Sequence, residues 1–156
     1  MISIEIPGFG AVHLEHAVFD YNGTVACDGD ISEQIRVLLR RLQPQLQIHV
    51  LTADTFGKVK KQLQGEPFMI HILEAGREAQ QKLAYIQLLG VENTICFGNG
   101  NNDVLMLQQA RIGVAVIGAE GSGSAALNAA DLVVRDVTEG IELLIQPLRI
   151  KATLRF

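Results

Sequence analysis

The sequence has no tryptophan, two tyrosines, four prolines and two cysteines in 156 residues. The cysteines, Cys27 and Cys96, form no CxxC pair and have no histidine cluster beside them at zinc-ligand spacing, so neither a disulfide framework nor a zinc site is expected. Cys96 lies in an apolar run and reads as a small hydrophobe. No apolar run is long enough to span a bilayer, which excludes a stand-alone ion pump. The opening MISIEIPGFG has neither a basic region nor a long apolar segment and does not read as a signal peptide. A cytoplasmic protein without a membrane partner is the expectation. Basic residues are also scarce, 13 against 17 acidic, for a formal net charge of -4. That balance argues against nucleic acid as a partner, because phosphate backbones reward clustered Lys and Arg. Internal repeats, low-complexity tracts and Pro/Ser-rich linkers are missing too.

What is present is a globular balance, 48% hydrophobic and 19% charged, in a length that suits one domain, residues 1–156. Ile2, Ile4 and Ile6 alternate with polar neighbours, Pro7, Gly8 and Gly10 break the chain, and Val12 and Leu14 alternate again. Residues 1–15 therefore read as a β-hairpin. From residue 16 to 146 strands and helices alternate. Strands are expected at 17–20, 48–51, 68–73, 94–97, 112–117 and 132–134, and helices at 31–42, 54–63, 78–89, 102–109, 124–130 and 137–145. Such alternation implies an α/β, three-layer, Rossmann-like, doubly wound and mostly parallel sheet. In the tail, 147–156, Leu148, Ile150, Ala152, Leu154 and Phe156 alternate with Arg149, Lys151, Thr153 and Arg155. This reads as a strand packed on the same domain beside the hairpin, with a subunit contact as the sharper alternative.

In a doubly wound sheet, ligands bind beyond the carboxyl ends of the strands. The residues there are Asp20, Thr52, Glu74 to Gly76, and Asn99 with Asp103. Each has a plain reading. Asp20 suits a turn before Gly23. Thr52, followed by Ala53 and a helix start, suits an N-cap. Lys82 suits a solvated helix face, although it is the one basic residue between Glu78 and Leu89. The Gly98–Asp103 loop is harder to read as a mere connection, being both glycine-rich and unusually polar. Their convergence at one edge of a sheet points to phosphate or a hard cation. His13, His16, His49 and His71 show no ligand spacing, and Gly121–Ser124 reads as an ordinary loop.

The ordered set Asp20-Tyr21-Asn22-Gly23-Thr24, Leu51-Thr52-Ala53-Asp54, Lys82 and Gly98-Asn99-Gly100-Asn101-Asn102-Asp103 resembles the four signature motifs of the haloacid dehalogenase-like superfamily. That superfamily includes the phosphorylation domains of P-type ATPases, and within it the chain resembles soluble P-type ATPase-like proteins. The likeness runs from Ala17 to about Asp136. It implies that Asp20 is a nucleophile forming an aspartyl-phosphate, that Thr52, Ala53, Lys82 and Asn102 serve the phosphoryl group, and that Asp20, the Asn22 carbonyl, Asn99 and Asp103 serve Mg²⁺. The spacing leaves no room for a large cap domain after Asp20 or Thr52. Capless members often close the site with a neighbouring subunit, so a homo-oligomer is a partner to test for, beside a small phosphorylated substrate.

Two positions depart from the pattern. Phosphatases of the superfamily usually carry an acid/base Asp where Asn22 stands, and an amide cannot transfer protons near neutral pH. Asn99 stands where an Asp commonly binds Mg²⁺. Two readings follow: a slow Mg²⁺-dependent phosphohydrolase or phosphotransferase, or a binding or regulatory module that keeps the phosphate site without efficient turnover.

Overall fold

The computed structural model describes residues 1–54 and 57–156. The chain begins with an antiparallel hairpin, β1 (Ile2–Ile6) and β2 (Gly10–Leu14), with Ile2 opposite Leu14 and Ile4 opposite Val12. One face of the hairpin, Ile2, Ile4, Ile6, Val12 and Leu14, is buried, as the alternation requires.

The remainder follows the expected order: β3 (His16–Asp20), α1 (Glu33–Leu42), β4 (Gln47–Thr52), α2 (Lys58–Gln62), β5 (Met69–Ile72), α3 (Glu78–Leu89), β6 (Thr94–Gly98), α4 (Val104–Gln109), β7 (Ile112–Val116), α5 (Ser124–Ala129), β8 (Leu132–Val134) and α6 (Val137–Ile145). The six strands β3 to β8 form a parallel sheet in the order β5-β4-β3-β6-β7-β8. Ser32 and Asp136 accept backbone N–H bonds at the starts of α1 and α6. The expected helix 54–63 shortens to Lys58–Gln62, with residues 55–56 outside the described set. The helix expected at 102–109 begins as a 3-10 turn, Asn101–Asp103, before α4.

Two cores sandwich the sheet. Ala17 and Phe19 of β3 face one core with the hairpin, α1 and α6, whereas Val18 faces the other with Ile86 of α3 and Met106 and Leu107 of α4. All three β3 residues are fully buried, as expected of a strand covered on both faces. Phe19 and Phe97 stack with ring centroids 4.5 Å apart, joining β3 to β6 on the α6 side.

The tail corrects the sequence reading. Residues Leu148–Leu154 form a helix, α7, not a strand. Of the five alternating apolar residues only Ile150 is fully buried; Leu154 is half-buried, and Leu148 and Phe156 are exposed. Ile150 and Leu154 are four apart and share one helical face. Pro147 suits a helix start, and Leu, Arg, Lys and Ala are good helix formers. The expected position beside the hairpin is kept: the Phe156 N–H donates to the Pro7 carbonyl at 3.1 Å.

Candidate functional site

The chain leaves β3 for β4 on one side and returns to β6 on the other, so strand order switches around β3. The crevice outside the carboxyl ends lies there. Asp20 ends β3, Thr52 ends β4, and Asn99 follows β6.

Lys82 comes to this crevice from α3. It shares a helical face with Ile86, four residues on, and both are buried against the sheet. The lysine is therefore not a solvated surface residue; it is 1% exposed. Its aliphatic stem packs on the core while the ammonium reaches the strand ends. Lys82 Nζ donates to Asp20 Oδ1 and to Asp103 Oδ1, both at 2.6 Å.

Asp103 is fully buried and is held from the other side by its own loop. Its Oδ2 accepts the N–H groups of Asn99 at 3.0 Å and Gly100 at 2.9 Å. Gly98 makes this approach possible, since a Cβ there would collide with the Asp103 side chain. The Asn99 amide crosses to other loops. Its Nδ2 donates to the Gly121 carbonyl at 3.1 Å, and its Oδ1 faces the Thr24 hydroxyl at 3.5 Å. Gly23, at φ +78°, packs on this amide where no side chain would fit.

Thr52 is buried, and its Oγ1 is one of two buried polar side-chain atoms among the described residues that lack a hydrogen-bond partner. Such an atom normally has one. At the end of β4, a hydroxyl left without a protein partner suits an anionic ligand. Asn22, Ala53 and Asn102 are exposed around the crevice. Glu74 to Gly76 are exposed as well; the Glu74 backbone pairs with the Gln81 side chain, which gives this stretch a local role.

Charge is unevenly placed. Burial, and then the neighbouring Asp103, push the Asp20 carboxyl up to about 7, against the pull of Lys82. Burial lowers the Lys82 ammonium, but the two carboxylates outweigh it and hold Lys82 protonated above its ordinary range. One cation thus faces two acids, and added positive charge would favour ionised Asp20. A hard cation such as Mg²⁺ fits the oxygen donors here: the Asp20 carboxylate, the Asn22 carbonyl and the Asn99 amide oxygen. Mg²⁺ sites need only one or two carboxylates, with water and substrate phosphate supplying the rest. Both Asp103 oxygens are already engaged, by Lys82 and by the loop amides.

Sequence reasoning passed over Gln62. From α2 its side chain accepts from the Tyr21 hydroxyl at 3.1 Å and the Ile31 N–H at 3.0 Å, and donates to the Gly29 carbonyl and Asp30. It ties the loop after Asp20 to the helix after Thr52. A glutamine within a short polar helix carries no sequence signal for that role.

Comparison with known proteins agrees with this arrangement. Residues 54–142, more than half of the chain, match the family model described as haloacid dehalogenase-like hydrolase. An uncharacterised protein of Methanocaldococcus jannaschii is 42% identical over 84 residues, covering 51% of this chain and 90% of that one. Among solved structures, the cobalt-bound deoxy-D-mannose-octulosonate 8-phosphate phosphatase of Haemophilus influenzae superimposes with a TM-score of 0.72 at 12% identity, over 92% of this chain and 94% of the other. The 3-deoxy-D-manno-octulosonate 8-phosphate phosphatase of Moraxella catarrhalis, complexed with magnesium, phosphate and KDO, gives 0.71 at 15% identity over 86% and 87%. At these identities the two structures bear on the fold alone. The motif residues gathered at the switch point, the parallel sheet beneath them and the matched family model lead to one assignment: this chain belongs to the haloacid dehalogenase-like hydrolase family.

Proposed function

We propose that the protein is a slow, Mg²⁺-dependent phosphohydrolase or phosphotransferase acting on a small phosphorylated substrate through an aspartyl-phosphate on Asp20. The observation that carries this reading is Lys82, buried between Asp20 and Asp103, with the unpartnered Thr52 hydroxyl at the end of the adjacent strand β4. In the first step an Asp20 oxygen bonds to phosphorus while the bond to the leaving-group oxygen breaks, that oxygen keeping the electron pair. In the second, water bonds to phosphorus and Asp20 departs as a carboxylate. Lys82 sits where it can neutralise a non-bridging oxygen, and Thr52 can donate to another. Bound Mg²⁺ would supply the further positive charge that screens nucleophile from substrate. Asp103 positions Lys82 and the Asn99–Gly100 turn.

Proton transfer is where the site falls short. The leaving group needs a proton in the first step, and water must lose one in the second. Asn22 can do neither, which withholds on the order of 10²–10⁴ in rate. Good leaving groups need no acid, so acetyl phosphate should phosphorylate Asp20 and the adduct should hydrolyse slowly.

The test is turnover of p-nitrophenyl phosphate and acetyl phosphate with and without Mg²⁺, in wild type, Asp20→Asn and Asn22→Asp. Mg²⁺-dependent activity that disappears in Asp20→Asn, with a gain in Asn22→Asp, is the expected result. Inertness of both wild type and Asn22→Asp would sink the catalytic reading. A second reading, a phosphate-site module with a binding or regulatory role, draws on the two amides Asn22 and Asn99. It would then take precedence.

A further inference from the structure

Three loops follow the adjacent strands β3, β6 and β7, and Asn99 joins them. Its N–H donates to Asp103 Oδ2 within its own loop. Its carbonyl accepts the Ser122 hydroxyl at 3.0 Å and the Gly123 N–H at 2.8 Å. Its Nδ2 donates to the Gly121 carbonyl at 3.1 Å, and its Oδ1 faces the Thr24 hydroxyl at 3.5 Å. The loop after β7 also reaches the loop after β3 directly. Glu120 Oε1 accepts the Asp28 N–H at 3.0 Å, and a Cβ on Gly118 would stand 3.3 Å from the Gly23 carbonyl oxygen. The Gly121–Ser124 stretch, an ordinary loop by its sequence, thus braces one of the candidate cation donors.

We propose that residues 118–123 form a clasp that positions Asn99, with the Ser122 hydroxyl and the Gly121 carbonyl as the positioning groups; for the cation alone, this rests on the Mg²⁺-dependent reading of the site. The geometry gives a reason for an amide at residue 99. A carbonyl oxygen only accepts, so the group facing Gly121 must donate. A carboxylate there would lose the bond and set two acceptors against each other. The same bond fixes the rotation of the amide. With Nδ2 turned to Gly121, Oδ1 is turned toward the loop after Asp20, and its one contact among the described residues is the long one to Thr24. Lone-pair capacity is left there for a hard cation. A donor held in place before the ligand arrives loses less freedom on binding. Ser122 donates to the Asn99 backbone and is outside the donor set proposed for the cation.

Hydrogen exchange of the full chain, and titration calorimetry with Mg²⁺, test the clasp and the positioning separately. Asn99→Asp keeps the size and the backbone bonds but removes the donor. The Gly123 and Asp28 N–H groups should then exchange about tenfold faster. Ser122→Ala leaves the amide intact and should weaken Mg²⁺ binding about threefold, and Ser122→Thr, which keeps a hydroxyl, should restore it. A hydroxyl with a structural role alone would leave Mg²⁺ affinity where it is. Exchange at the wild-type rate in Asn99→Asp overturns the clasp. Wild-type Mg²⁺ affinity in Ser122→Ala, or an equal loss in Ser122→Thr, overturns the positioning of Asn99. If the wild type binds no Mg²⁺, the Mg²⁺-dependent function fails and takes the positioning with it, while exchange in Asn99→Asp still decides the clasp.

Discussion

Two polar clusters, each built on a fully buried side chain, lie under α3 on the same side of the sheet, and they handle polarity in opposite ways. At the strand ends, Lys82 holds Asp20 and Asp103 as a charged triad. Three residues along the helix, Tyr85 joins a neutral chain: its hydroxyl is 2.9 Å from His49 Nδ1, and His49 Nε2 is 3.1 Å from His16 Nδ1. His49 is fully buried. Burial, reinforced by His16, lowers its imidazole to about 4. Charge is kept where a phosphoryl group would arrive and excluded where only packing is served. The difference teaches that burial alone does not mark a functional group. What marks one here is charge held at the crevice by partners that leave it incompletely neutralised.

The most damaging way to break the comparison is to remove the cation. Lys82→Met leaves two carboxylates facing each other without compensation and should cost roughly 3–5 kcal/mol of stability, read by urea denaturation near neutral pH. Adding Asp103→Asn should recover part of that loss. A double variant no more stable than Lys82→Met would show that repulsion is not the cause.

A pH titration of stability sharpens the contrast, because the two clusters carry opposite signs. The folded His49 takes its proton near 4 and the unfolded one near 6.5. Between those values the unfolded state binds more protons, so stability falls as pH drops, by at most roughly 3 kcal/mol. Asp20 has its folded value raised above the unfolded one. Acid is therefore taken up first by the folded state, and its contribution rises as pH drops from about 7. His49→Leu should remove the downward trend and leave the Asp20 contribution. A variant that loses stability in acid as steeply as wild type would assign the trend to other groups.

The smallest expected effect is Tyr85→Phe, which deletes one hydrogen bond to His49 at about 1–2 kcal/mol. It should leave phosphate binding unchanged. A loss of phosphate affinity in calorimetry would mean that the neutral chain is coupled to the triad through α3.

The motifs were legible because each falls at the end of a strand that the apolar pattern already locates: Asp20 after Ala17-Val18-Phe19, Thr52 after Ile48-His49-Val50-Leu51. Lys82 was legible by its isolation among acidic and neutral neighbours, and its i,i+4 relation to Ile86 also places it on the packed face. The tail was misread because a ten-residue segment of alternating apolar residues fits a strand by period while its composition fits a helix. Packing against β1 decided for the helix. The role of Gln62 was not legible, since its partners lie 31 to 41 residues away in sequence.

By itself the sequence determined the hairpin, the alternation of strands and helices, and the set of residues that reach the crevice. Those follow from local periodicity and from side-chain chemistry, both properties of short segments. Only the tertiary structure decided that both Asp103 oxygens are taken by Lys82 and the loop amides, and that Thr52 Oγ1 is left without a partner. Each depends on distances between segments far apart in the chain, and strand order, not sequence spacing, sets those distances.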